Sequence, residues 1–236
     1  MQNLLDKFNK AQSEVKKVII GKDYVIQKVF EAILAKGHVL IEDIPGVGKT
    51  TLAMSFSKVM SLKYKRIQFT PDVLPSDVSG FSMYNRQTNE FEYVEGAAMC
   101  NLLLADEINR TSPKTQSALL EIMEEGHVTV DGQTKEIPKP FTVIATQNPF
   151  GSVGTQKLPE SQMDRFIIRV SMGYPDYESE INIYSPLSLR TVTLQAAYSP
   201  RSVMALMVAS PALRPVTRPS PSTEATVGLL LIQTMK

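Results

Sequence analysis

Residues 45–51, Pro45-Gly46-Val47-Gly48-Lys49-Thr50-Thr51, combine the groups needed to hold a phosphorylated ligand. Two glycines let backbone N–H groups approach a phosphate closely, a lysine reaches β- and γ-phosphate oxygens, and the hydroxyl beside it coordinates Mg²⁺. The usual spacing, G-x-x-x-x-G-K-[ST], is incomplete, because Asp43 stands where the first glycine belongs. A second set of groups lies downstream, where the apolar run Leu102-Leu103-Leu104-Ala105 ends in Asp106 and Glu107. Such a run reads as a buried parallel strand, and open α/β sheets place ligands outside the carboxyl ends of their strands. There Asp106 would bind the Mg²⁺ that Thr50 touches, through water, and Glu107 would activate a water for attack on the γ-phosphate. Asn148 ends a third apolar run and could hydrogen-bond the attacking water or the γ-phosphate, although Asn before Pro149 is also a common turn cap.

These groups need a scaffold, and the flanking pattern supplies one. Val39-Leu40-Ile41 precedes the glycine turn, and Leu52, Ala53, Phe56, Val59 and Met60 follow it at helical spacing. Strands are expected over 39–43, 64–70, 101–106, 141–146 and 166–170. Their alternation with helices predicts a parallel sheet covered on both faces. Helices are expected over 2–18, from Val25 to Leu34 ahead of Gly37, over 114–125, and briefly over Pro159–Arg165. The turn Ile19-Ile20-Gly21 could line an adenine pocket or simply join two helices. Two hairpins interrupt the alternation. Residues 81–94 flank the polar stretch Asn85–Glu90, and residues 127–137 alternate around Asp131-Gly132.

The chain carries 25 Lys plus Arg against 24 Asp plus Glu, a formal net charge of +1. This disfavours a nucleic-acid motor or an anionic membrane surface as the partner. No apolar stretch is long enough to span a bilayer, and Met1–Lys10 is too polar for a secretory signal, so a cytoplasmic location is expected. The single cysteine, Cys100, sits in an apolar run and reads as a buried, inert thiol. His38 and His127 stand in no cluster with metal-ligand spacing. From about residue 183 the composition shifts. Glu224 is the only acid beyond Ile181, six prolines cut the segment, and 210–224 reads as disordered, with short helices possible at 202–210 and 225–235. The expected division is a core over 1–182 and a tail over 183–236.

Taken together, Glu42–Thr50, Leu103–Arg110, Pro113–Glu121, Ala145–Pro149 and Leu158–Phe166 resemble the MoxR family of AAA+ ATPases. The resemblance covers residues 1 to about 182, and Asp is common in this family at the first position of the phosphate loop. It implies a P-loop NTPase core with an α/β fold, ATP and Mg²⁺ as cofactors, and a helical lid. It assigns Gly46–Thr51 to Walker A, Asp106 and Glu107 to Walker B, Asn148 to sensor 1, and Arg165 to an arginine finger acting on a neighbouring subunit. It further implies a ring, typically a hexamer, that serves as a chaperone-like remodeller and often works with von Willebrand factor A domain proteins. The two hairpins resemble the helix-2 insert and pre-sensor hairpin of this clade. The departure lies at the C-terminus. Ser199-Pro200-Arg201 matches the lid's sensor 2 context but follows Gly173 too closely for the usual lid helices. A shortened or divergent lid is therefore expected, and with it the alternative of a nucleotide-binding module with little turnover.

Overall fold

The computed structural model describes residues 2–148 and 158–184. The expected tail helices at 202–210 and 225–235, the lid and Arg201 lie outside these residues. Two helices lead the chain, α1 (Gln2–Lys16) and α2 (Asp23–Leu34). Five strands form one parallel sheet: β1 (Val39–Glu42), β2 (Tyr64–Gln68), β5 (Leu102–Asp106), β8 (Thr142–Gln147) and β9 (Ile168–Val170). Their spatial order is β2-β5-β8-β1-β9. Helix α3 (Lys49–Val59) follows β1, and α5 (Pro113–Glu125) follows β5.

The alternation of side chains along each strand divides the core into two layers. Val39, Ile41, Leu102, Leu104 and Ile144 pack with α1, α2 and α3. Leu40, Leu103, Ala105, Val143 and Ala145 pack on the opposite face with Leu119, Leu120 and Met123 of α5. Both faces of the sheet are covered at its centre, which is why β5 reads as an apolar run and β8 is buried along its whole length, whereas the edge strand β2 is polar and only half-buried. Helix α5 begins where Ser112 accepts the Thr115 N–H at 3.3 Å with Pro113 in the first turn, and it ends at Gly126, whose φ is +69°. His38 joins the layers from the foot of β1. Its Nδ1 accepts the Val143 N–H at 3.0 Å, so its Nε2 carries the proton donated to the Met123 carbonyl at 3.1 Å. Burial pushes this imidazole down to about 4.

Both expected hairpins form, as β3 (Gly80–Asn85) with β4 (Glu90–Glu95) and β6 (His127–Val130) with β7 (Gln133–Glu136). Several expectations need correction. Pro75 and Asp77 read as turn residues, yet Pro75–Ser79 is a short helix, α4, started by Pro75 and by the Asp77 carboxylate accepting the Leu74 N–H at 2.8 Å. The last strand begins at Ile168, because Phe166 still bonds back to the Met163 carbonyl at the end of α6 (Glu160–Met163). The first helix stops at Lys16, two residues early. Strand β2 stops at Gln68 rather than at residue 70. One further helix was not expected: α7 (Tyr177–Tyr184) starts behind Asp176, whose carboxylate accepts the Ser179 N–H at 2.8 Å.

Candidate functional site

The turn between β1 and α3 takes the shape that its glycines permit. Gly46 and Gly48 have φ values of +89° and +91°, and Gly48 caps α3 in the left-handed region. A side chain at either position would be strained. Nothing lies within 4 Å of a Cβ placed on Gly46, so the space beside that glycine is open. Lys49 and Thr50 begin α3, whose exposed N–H groups and dipole favour an anion there. Lys49 is buried, and its Nζ donates to the carbonyls of Asp43 at 2.8 Å and Ile44 at 3.1 Å. Burial pushes its ammonium pKa down, while the nearby Asp106, Asp43 and Glu107 push it back up. Pro45, Val47 and Thr51 complete the loop and the first helical turn.

Asp43 does not behave as a flawed glycine. Its buried carboxylate accepts N–H bonds from Ile44 at 3.2 Å, from Gly173 at 2.8 Å and from Met172, and it accepts the Ser171 hydroxyl at 3.1 Å. The loop is thereby tied to the segment leaving β9. That segment also touches the turn raised above as an adenine candidate. Lys22 Nζ donates to the Tyr174 carbonyl at 2.7 Å, and a Cβ on Gly21 would stand 2.1 Å from the Ser179 hydroxyl. Gly21 therefore packs against α7, and Lys22 holds the connection that leads from β9 to it.

Strand alternation carries Asp106 to the α3 face, two positions after Leu104, and Thr146 to the same face, two positions after Ile144. Thr146 donates its hydroxyl to Asp106 Oδ1 at 2.6 Å and accepts the Glu107 N–H at 2.9 Å. Glu107 adopts φ +56°, which swings its carboxylate off the strand line. Its Oε2 accepts from Arg110 at 2.6 Å and from Gln68 Nε2 at 3.0 Å. Asn148 follows β8, the strand between β1 and β5, and its carbonyl lies 3.5 Å from the buried Asn109 amide. Lys49, Thr50, Asp106, Glu107 and Asn148 thus share the carboxyl edge of three neighbouring strands. Arg165 does not join them. It precedes β9, at the edge where the strands begin, and pairs with Glu124 of α5 at 2.7 Å rather than with its neighbour Asp164.

Arg66, Gln68, Arg110 and Thr146 were not singled out from the sequence, although all four bond to Asp106 or Glu107. The i, i+2 spacing of Arg66 and Gln68 put them on one face of β2, but only the pairing of β2 with β5 reveals what they meet. Cys100 is buried and free, and burial pushes its thiol up to about 12, as an inert core cysteine requires. His127 pairs with Glu125 at 3.0 Å at the helix end. Among the described residues, no group of three or more His, Cys, Asp or Glu could hold a metal, and no helix is long and apolar enough to cross a membrane.

Residues 38–168 match a family profile, the ATPase family associated with various cellular activities (AAA). The chain is 56% identical over 176 residues to YeaC of Bacillus subtilis, described as uncharacterized, covering 75% of this chain and 55% of that protein. It is 46% identical over 170 residues to the chaperone MoxR1 of Mycobacterium tuberculosis, covering 72% of this chain and 45% of that one. The crystal structure of a candidate ATPase from Cytophaga hutchinsonii superposes with a TM-score of 0.80 at 39% identity, over 88% of this chain and 64% of that one. The chain spans about half the length of these two curated relatives. With this sheet order, this loop and these matches, the chain belongs to the MoxR family of AAA+ ATPases.

Proposed function

We propose that residues 1–182 form the Mg²⁺-dependent ATP-hydrolysing core of a ring that remodels or matures partner proteins. The observation that carries this reading is the convergence of Lys49, Thr50, Asp106, Glu107 and Asn148 at the carboxyl edge of β1, β8 and β5. The residues fit the ligand. The open side of Gly46 leaves room for phosphate, and Lys49 already sits where its ammonium is offered two carbonyl acceptors. One carboxylate and one hydroxyl, Asp106 and Thr50, are a donor set suited to Mg²⁺ shared with phosphate oxygens rather than to a protein-only cage. Bound MgATP would supply an electrophilic γ-phosphoryl group.

The residues then divide the work. Lys49 transfers its hydrogen bonds from the loop carbonyls to the β- and γ-phosphates. Glu107 accepts the proton of the attacking water, and Asn148 holds that water or the γ-phosphate in line. Arg165 stands at the opposite edge of the sheet, so it acts on the nucleotide of a neighbouring subunit and stabilises the charge that develops there. This supports the ring, with six subunits as the family expectation. Ile20 and Gly21, in the turn that packs against α7, take the adenine. Clients include von Willebrand factor A domain proteins, and the location is cytoplasmic.

The second reading, a nucleotide-binding module with little turnover, is favoured by the Glu107 carboxylate, which Arg110 and Gln68 hold. One experiment separates the two. Mg²⁺-dependent ATP hydrolysis is measured over a range of protein concentrations, with Glu107→Gln alongside. Specific activity that rises with concentration and vanishes in the variant supports the ring ATPase. ATP binding without turnover at any concentration leaves the module.

A further inference from the structure

The Walker B aspartate is not bare. Its Oδ1 accepts the Thr146 hydroxyl at 2.6 Å, and its Oδ2 accepts Arg66 Nη2 at 2.7 Å. Arg66 reaches it from β2, the edge strand, which among the described residues pairs only with β5. The two side chains differ in freedom. Asp106 is 12% exposed, whereas Arg66 is 44% exposed, so the arginine can leave without unpacking the core. The same guanidinium nitrogen also donates to Gln68 Oε1 at 2.9 Å, which gives Arg66 a polar partner on its own strand. Thr146 and a metal ion can both use Asp106, because a hydroxyl donor and a cation take different lone pairs. Arg66 and a divalent cation compete, because each is a positive charge drawn to the same carboxylate, whether the cation meets it directly or through a bound water.

Resting on the nucleotide-site reading above, we propose that Arg66 is a positioning residue whose ion pair with Asp106 must be displaced by the divalent cation, so that Arg66 sets the Mg²⁺ concentration at which nucleotide binds tightly. In the absence of the cation, Arg66 neutralises and orients the carboxylate. When Mg²⁺ arrives with phosphate, Arg66 withdraws to Gln68 and solvent. No bond is made or broken in this exchange, and its consequence is a higher threshold for cation binding than Asp106 and Thr50 alone would give. Gln68 also donates to Glu107, so the displaced side chain remains in contact with the residue that holds the hydrolytic carboxylate.

The test uses the full chain, stripped of cations with EDTA, and the fluorescent analogue mant-ATP, titrated with MgCl₂ at constant ionic strength. The wild type is compared with Arg66→Gln and Arg66→Lys. The Mg²⁺ midpoint should fall about two- to fivefold in Arg66→Gln, the span expected when a half-exposed ion pair stops competing, with Arg66→Lys between the two. Thermal melting without Mg²⁺ or nucleotide monitors the fold. A purely structural Arg66 would lower the melting temperature and leave the midpoint in place. If Arg66→Gln does not fold, Arg66→Lys carries the test, and a lowered midpoint is still required. Mg²⁺-dependent binding with an unchanged or raised midpoint overturns this proposal and leaves the nucleotide site standing. Absence of mant-ATP binding by the wild type at every Mg²⁺ concentration overturns both.

Discussion

Acidification should destabilise this domain through one side chain, His38. The imidazole is 7% exposed, accepts from the Val143 N–H and donates to the Met123 carbonyl, so only its neutral form fits. Burial lowers its pKa from 6.5 to about 4, which outweighs the upward pull of the Met123 carbonyl. The sign follows from linkage. Between these two values the unfolded chain binds a proton that the folded chain does not, so stability rises with pH across that window and is lost as pH falls from about 6.5 to about 4. The full contribution is about 3 kcal/mol, of which about 1 kcal/mol disappears between about pH 7.5 and about pH 5.5. The upper part of the window lies above most carboxylate titrations. Urea unfolding at both pH values measures the loss, in a His127→Gln background that removes the second histidine. In His38→Gln the amide can present an acceptor and a donor but cannot titrate. It should be less stable by about 1–2 kcal/mol at neutral pH and nearly flat between the two pH values. Equal stability of the parent at both pH values, or the same acid loss in His38→Gln, would refute the reasoning.

Asp43→Gly restores the usual phosphate-loop glycine yet should lower stability by about 2–4 kcal/mol, because the N–H groups of Met172 and Gly173 lose their acceptor; calorimetric melting decides whether the tie matters. Lys49→Ala should weaken ATP binding by about 10- to 100-fold, the loss of a charge-assisted bond to phosphate, read by isothermal titration with the fold checked by circular dichroism. Arg165→Ala should retain ATP binding and lose about 10³-fold or more in turnover. Mixing it with Glu107→Gln should restore part of the activity, because an intact finger from one subunit then meets an intact carboxylate on its neighbour. Failure of that rescue, with ring assembly intact, would count against action in trans.

Much of the site was legible because its chemistry is local in the chain. A lysine and hydroxyl behind two glycines, or acids at the end of an apolar run, lie within a few residues, and backbone geometry alone aims them. The same holds for the core, where the apolar stretches Leu102–Ala105 in β5 and Val143–Ala145 in β8 announced strands buried on both faces. The elements that were misread are short and polar. Helix α4 and helix α7 owe their starts to Asp77 and Asp176, single carboxylates that cap one turn each and leave little periodicity to detect.

Strand order decided the rest. The chain by itself determined which residues could bind phosphate, coordinate a cation or activate water, because those capacities belong to residue types and short spacings. Only the tertiary structure set β2 against β5, which brings Arg66 and Gln68 onto Asp106 and Glu107, and set β9 against β1, which turns Asp43 from an apparent defect into a clamp on residues 171–173. Partners such as Arg66 and Asp106 are 40 residues apart, and Asp43 and Gly173 are 130 apart. Nothing in local propensity encodes such pairings, because they depend on which strands share an edge, and that is fixed by how two apolar layers close over the whole sheet.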